Sequence, residues 1–85
     1  MERDSLLKER QTTHGSFPAN AKISQAIKGI YLDYDYDERL PVEQREALDM
    51  IATKISRIVS GQANFKDHWD DIAGYAKLGS EACDR

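Results

Sequence analysis

Apolar side chains recur at helical spacing through most of this chain. From Ala19 onward Ile23, Ile27, Ile30, Tyr31 and Tyr34 follow at intervals of three and four, the period of an amphipathic helix. Pro18 suits its first turn, where a missing N–H costs nothing, and the pattern predicts fraying at Gly29 or an end before Asp33. Pro41 opens the strongest segment. Leu48, Ile51, Ala52, Ile55, Ile58 and Val59 form one broad apolar face, Glu46, Asp49, Thr53, Lys54 and Arg57 form a polar one, and Ser60-Gly61 closes the helix. A third segment follows after the short Gly61-to-Ala63 connection, which makes it antiparallel to the second. Asn64 is its expected N-cap, with Asp67 three residues later in an approximate capping box. Trp69, Ile72, Ala73 and Ala76 are its expected packing face.

The remaining stretches are polar. Arg3 to Gln11 reads as a short helix anchored by Leu6 and Leu7 alone, so residues 1–15 are expected to form a mobile N-terminal arm that ends in the turn-forming run Thr12 to Ser16. Asp33 to Arg39 alternates acid and tyrosine as a strand would, but no second segment could pair with it, and a loop is expected. Residues 80–85 form a polar tail. The sum is a single all-α domain over residues 1–85: a short bundle of two long antiparallel helices plus an N-terminal helix. With 85 residues it buries too little surface to be comfortable alone, and a homo-oligomer, a dimer or higher, is expected to complete it.

Composition narrows the chemistry. The formal charge is −3, with acids gathered at Asp33 to Glu38 and Asp67 to Asp71, which argues against a nucleic-acid groove. A mononucleotide held through a divalent cation is compatible, because the metal reverses the sign of an acidic site. Cys83 is the single cysteine and supports neither a disulfide framework nor a cysteine zinc site. No apolar run approaches the roughly 20 residues that span a bilayer, and the charged start is not a signal peptide. A soluble, cytoplasmic protein is expected.

Two acidic pairs invite a sharper reading. Asp67 and Asp71 lie four apart on one helical face, and Gly74 continues that face one turn on. A helix-interior glycine costs about 1 kcal/mol relative to alanine, which suggests close approach of a helix or a ligand. Glu46 and Asp49 form a second pair on the preceding helix. Mg²⁺ prefers oxygen ligands and is often held by one or two carboxylates plus substrate phosphates, and Glu46, Asp49, Asp67 and Asp71 have that chemistry. Lys54 and Arg57 could reach phosphate oxygens, and His14 is a further ligand candidate. A simpler account stands beside this one: Asp67, Asp70 and Asp71 serve the helix dipole, His68 is solvated and Trp69 is core. Neither a nucleophile elbow nor a glycine-rich phosphate loop is present.

Asp67-His68-Trp69-Asp70-Asp71-Ile72-Ala73-Gly74-Tyr75-Ala76 resembles the D-x-W-x-D-I-A-G-Y-A signature of a family of small phage and prophage proteins. Thr13-His14-Gly15 with Asn20 resembles that family's turn-plus-asparagine segment, and Met50 to Arg57 resembles its M-I-x-x-K-I-x-R helix. The family in turn resembles a distant branch of the MazG-like all-α nucleoside triphosphate pyrophosphatases. That resemblance implies an oligomeric bundle in a bacterial host cell, with Mg²⁺ on Asp67, Asp71, Glu46 and Asp49 at a nucleotide's triphosphate. His14, Asn20 and Tyr75 enter as binding residues on the matching segments. The chain departs from the usual E-x-x-E then E-x-x-D order, having E-x-x-D and then D-x-x-x-D. Three functions are therefore compatible: a Mg²⁺-dependent pyrophosphohydrolase, a non-catalytic protein that sequesters a host signalling nucleotide, and an acidic inhibitor that docks on a protein.

Overall fold

The computed structural model describes residues 2–35 and 39–83, with side chains from Leu6 onward except that of residue 7. They form four α-helices in the order α1 (Glu2–His14), α2 (Phe17–Tyr34), α3 (Val42–Ser60) and α4 (Lys66–Ala82). No strand occurs among the described residues. The all-α bundle expected from periodicity is the one observed, with α3 at its centre. α2 and α4 pack on α3 and α1 touches it more sparsely. Both pairings are antiparallel. Along α2 and α3, Tyr31 meets Asp49 and Asn20 meets Ser60. Along α3 and α4, Lys54 meets Asp71, and a side chain at Gly79 would touch Ala47. No helix among the described residues is long and apolar enough to cross a membrane.

The N-terminal segment is a helix through His14, three residues beyond its expected end. Thr12 Oγ1 and Thr13 Oγ1 donate to the Lys8 and Arg10 carbonyls, at 3.1 and 3.2 Å, so both threonines are accommodated inside α1. The helix stops at Gly15, whose φ of 80° is the left-handed conformation of a helix C-terminus and whose N–H bonds to the Gln11 carbonyl at 2.9 Å. Ser16 then caps α2 by accepting from the Ala19 N–H at 3.3 Å, with Pro18 in the first turn. α2 neither frays at Gly29 nor ends before Asp33. It continues to Tyr34, and Asp35 Oδ1 accepts from the Arg39 and Leu40 N–H groups to fold the chain back toward α3. The loop expected over Asp33 to Arg39 thus begins two residues later, and its centre, 36–38, lies outside the described residues.

α4 differs most from expectation. It starts at Lys66 after Phe65, and Asn64 sits in the preceding turn, exposed and not capping. The reason is a fixed connection: the Gln62 N–H donates to the Thr13 carbonyl at 2.9 Å and the Phe65 N–H to the Gln62 carbonyl at 3.1 Å, which carries the chain past Asn64 before it can coil. Trp69 is not core. It is 55 % exposed while its neighbour His68 is 1 % exposed, and the indole Nε1 donates outside the packing face to the Ala63 carbonyl at 2.8 Å. The inward stripe is His68, Ile72, Tyr75 and Gly79, rotated by one residue from the expected one. Ala73, Ala76 and Gly74 are exposed. The region expected as a polar tail from residue 80 continues as helix through Ala82.

The interior is unusually polar. Among the described residues the buried apolar side chains are Ala47 and Ala52, whereas Ser24, Lys54, Ser56 and His68 are also buried. α3 is contacted from more than one side, so Lys54, on its expected polar face, and Ser56 are covered as well. Two glycines make this possible. A side-chain carbon at Gly15 would come within 2.8 Å of the Ser60 backbone, and one at Gly61 would come within 2.7 Å of both the Arg57 carbonyl and the Gly15 nitrogen. At Gly29 and Gly74 it would meet nothing within 4 Å.

These surroundings separate the glycines by sign. Gly61→Ala and Gly15→Ala are expected to destabilise the fold by about 1–3 kcal/mol each through overpacking, with the positive φ adding to the cost at Gly15. Gly74→Ala should stabilise it by about 0.5–1 kcal/mol through helix propensity. Urea unfolding followed by circular dichroism measures both, and a destabilising Gly74→Ala would contradict the open surroundings described for α4.

Candidate functional site

The crossing of the α1–α2 turn over the end of α3 is held by side-chain amide, hydroxyl and imidazole groups. Asn20 Nδ2 donates to the His14 carbonyl at 2.7 Å, and Asn20 Oδ1 lies 3.1 Å from Ser56 Oγ and 3.0 Å from Ser60 Oγ. Each serine has one proton to divide between Asn20 and a carbonyl of its own helix, Thr53 at 2.6 Å for Ser56 and Ser56 at 2.7 Å for Ser60. From α4, His68 Nε2 donates to the Thr13 carbonyl at 2.9 Å. The His14, Phe65 and His68 rings pack together, with the two imidazoles edge-on and their centroids 4.8 Å apart.

Beside this junction lies a cavity of about 460 Å³ between α1, α2 and α3, within the range of small-molecule sites. Arg10 and His14 line it from α1, Asn20, Ser24 and Gln25 from α2, and Ser56 and Arg57 from α3. No lining residue among the described ones is acidic. Arg10 and Arg57 have no ion-pair partner among the described residues. Ser24 is 6 % exposed as a residue and lines the cavity wall from α2. Burial holds the His14 imidazole below its ordinary pKa, and the positive charges of Arg10, His68, Arg57 and Lys54 press it the same way. The α2 N-terminus adds the positive end of an 18-residue helix dipole at the same wall.

The sequence-derived candidates divide between this cavity and other places. His14, Asn20 and Arg57 come together on the cavity wall. Lys54 does not join them: it is buried, and its ammonium pairs with Asp71 Oδ2 at 2.9 Å. That hydrogen bond holds the exposed Asp71 carboxyl below its ordinary pKa. Asp49 faces α2 and accepts from the Tyr31 hydroxyl. Burial, followed by this bond, pushes the phenol pKa upward. Glu46 and Asp67 are exposed. The four carboxylates expected to hold Mg²⁺ are thus distributed, Asp49 toward α2 and Asp71 reaching α3 from α4, and no group of three or more His, Cys, Asp or Glu side chains suited to a metal forms among the described residues. Tyr75 lines a separate groove between α3 and α4 with Leu40, Leu48 and Ile51. Nothing approaches Gly74, so its place in the Asp67–Asp71 stripe does not mark a close contact.

Sequence reasoning missed Arg10, Ser24 and His68. The first two carried a usable signal. Arg10 stands four residues before His14 and Ser24 four after Asn20, so each shares a helical face with a residue already singled out.

Compared with known proteins, the chain matches no curated protein and no solved structure. It does match, from residue 3 to residue 83, the family described as Domain of unknown function (DUF6378), and with nearly its whole length covered the chain belongs to that family.

Proposed function

We propose that this chain is a nucleotide-binding protein that captures its ligand in the cavity between α1, α2 and α3 without cleaving it. The observation that carries this reading is the pairing of two guanidinium groups, Arg10 and Arg57, neither in an ion pair among the described residues, on one cavity whose described lining has no acid. Arginine forks match phosphate oxygens in pairs, and the Ser24 hydroxyl and the Gln25 amide offer neutral hydrogen bonds further along α2. Resemblance to MazG-like enzymes favours a nucleotide over other phosphate esters. Capture is favoured over Mg²⁺-dependent hydrolysis because Asp49 and Asp71 are engaged by Tyr31 and Lys54. Sequestration of a signalling nucleotide in the cytoplasm of a phage-infected bacterium is the role that suits such a protein.

An oligomer accompanies this reading. The radius of gyration is 14.7 Å, against about 12 Å for a compact chain of this length, and Leu48, Trp69 and Leu78 are exposed beside a core of two alanines. A second copy covering the Leu40, Leu48, Ile51 and Tyr75 groove would supply the missing apolar burial.

Ligand capture is tested by thermal unfolding with a panel of nucleotides. At one hundred times its Kd a ligand stabilises by about 2.7 kcal/mol, a rise in Tm on the order of 10–20 °C for a domain this small. Arg57→Ala should weaken binding by about 10–100-fold through loss of a charged hydrogen bond, and no shift with any nucleotide at millimolar concentration would end the proposal. The oligomer is tested separately by light scattering on the eluting protein. Leu48→Glu is expected to weaken self-association by about tenfold or more through lost apolar burial, and a monomer at every wild-type concentration would contradict it.

A further inference from the structure

The cavity's charge inventory narrows the ligand, on the premise that the cavity is the nucleotide site. Its described lining holds two arginines, one histidine and no carboxylate. Two further cations of α2 and α3 are engaged elsewhere. Lys54 is paired with Asp71 at 2.9 Å, and Lys28 donates to Thr53 Oγ1 at 3.3 Å. A phosphomonoester carries close to two negative charges near neutral pH, which Arg10 and Arg57 match one for one. A triphosphate carries about twice that charge and is ordinarily accompanied by Mg²⁺.

His14 completes the match. Positive charge faces it from its own helix through Arg10 and from α3 through Lys54 and Arg57, while α4 presents the His68 ring edge-on and the Asp71 carboxylate that pairs with Lys54. α2 approaches through the neutral amide of Asn20. Without a ligand this surrounding keeps the ring neutral. A dianion placed on the same wall reverses the sign of the local field, and the protonated ring becomes the favoured form. Thr13 Oγ1 already lies against Nδ1 and can accept from Nδ1–H, while Nε2 has no partner among the described residues and can donate to a phosphate oxygen.

We propose that the site selects a nucleoside monophosphate, a ligand with one terminal phosphate, seated on Arg10, Arg57 and His14 without a metal, and that His14 takes up one proton from solvent as the ligand binds. The ligand is discriminated by charge: a nucleoside lacks the anion, and a nucleoside triphosphate brings more charge than the wall can match. The coupling also has a definite sign. Because the bound state holds more protons than the free state, affinity rises as pH falls from 8 toward 7, a window in which the phosphate itself stays largely dianionic.

Isothermal titration of the wild-type protein with nucleosides and their 5′-mono- and triphosphates tests this, with EDTA and then with Mg²⁺, in two buffers of different ionisation enthalpy at pH 7.5. The expected result is a monophosphate that binds in EDTA at least tenfold more tightly than its nucleoside and its triphosphate, with net proton uptake that disappears in His14→Gln. The wild-type uptake is decisive by itself should that variant fail to fold. A triphosphate that binds more tightly and needs Mg²⁺, or binding with no uptake or with proton release, overturns the inference and leaves nucleotide capture standing. Binding of no nucleotide at all overturns the capture reading and this inference with it.

Discussion

The Thr13 carbonyl is the point on which the rest of this structure depends. It accepts from the Gln62 backbone N–H and from His68 Nε2, both at 2.9 Å, so one oxygen at the end of α1 fixes the α3–α4 connection and the inward register of α4. The bond from Gln62 brings two backbones to van der Waals contact, where Gly15 and Gly61 face each other. α1 and α3 end at this crossing and α2 and α4 begin beside it, so two negative helix ends meet two positive ones and the dipoles offset one another. The junction is therefore favourable electrostatically as well as through its hydrogen bonds.

A polar junction at the centre has a consequence for packing. Ser56 and His68 are the largest fully buried side chains, and their burial is tolerable because each has a partner: Ser56 has the Thr53 carbonyl and Asn20, and His68 has the Thr13 carbonyl. Such groups define one arrangement more sharply than they stabilise it, since each net hydrogen bond contributes only about 0.5–1.5 kcal/mol. The apolar burial that would ordinarily supply the bulk of the stability is small within one chain. Ile30, Leu48, Val59 and Leu78 keep much of their surface in solvent. The junction specifies the fold, and among the described residues buried apolar side chains add little to it.

The helices were legible because their period is a local property, and α2 and α3 carry it clearly. The orientation of α4 was not, for a physical reason. Trp69 outweighs His68 on any scale of hydrophobicity, but His68 can satisfy its ring nitrogen on a backbone carbonyl 55 positions away in the chain, and only the tertiary structure supplies that acceptor. Asn64 was misassigned in the same way, since a good capping residue is overruled by a connection tied to Thr13. Part of the cavity was legible, through His14, Asn20 and Arg57, which were singled out from their turn setting or their charge. Arg10 and Ser24 acquire meaning only when α1 and α2 are folded against α3. The acidic pairs show the converse: spacing placed Asp67 with Asp71 and Glu46 with Asp49 correctly on helical faces, but could not show that Asp49 turns to α2 while Asp71 pairs with Lys54.

His14 joins the junction to the cavity. Its carbonyl is held by Asn20, its ring stacks with Phe65 and His68 of the α3–α4 region, and the same ring lines the cavity beside Arg10 and Arg57. A change of charge on that ring is therefore felt on two sides. Toward the cavity it alters the field that an anion meets. Toward α4 it alters an edge-on contact with a second imidazole, where like charges would repel. A proton that the proposed anion draws onto His14 is offset by the phosphate on the cavity side and set against the second imidazole on the other.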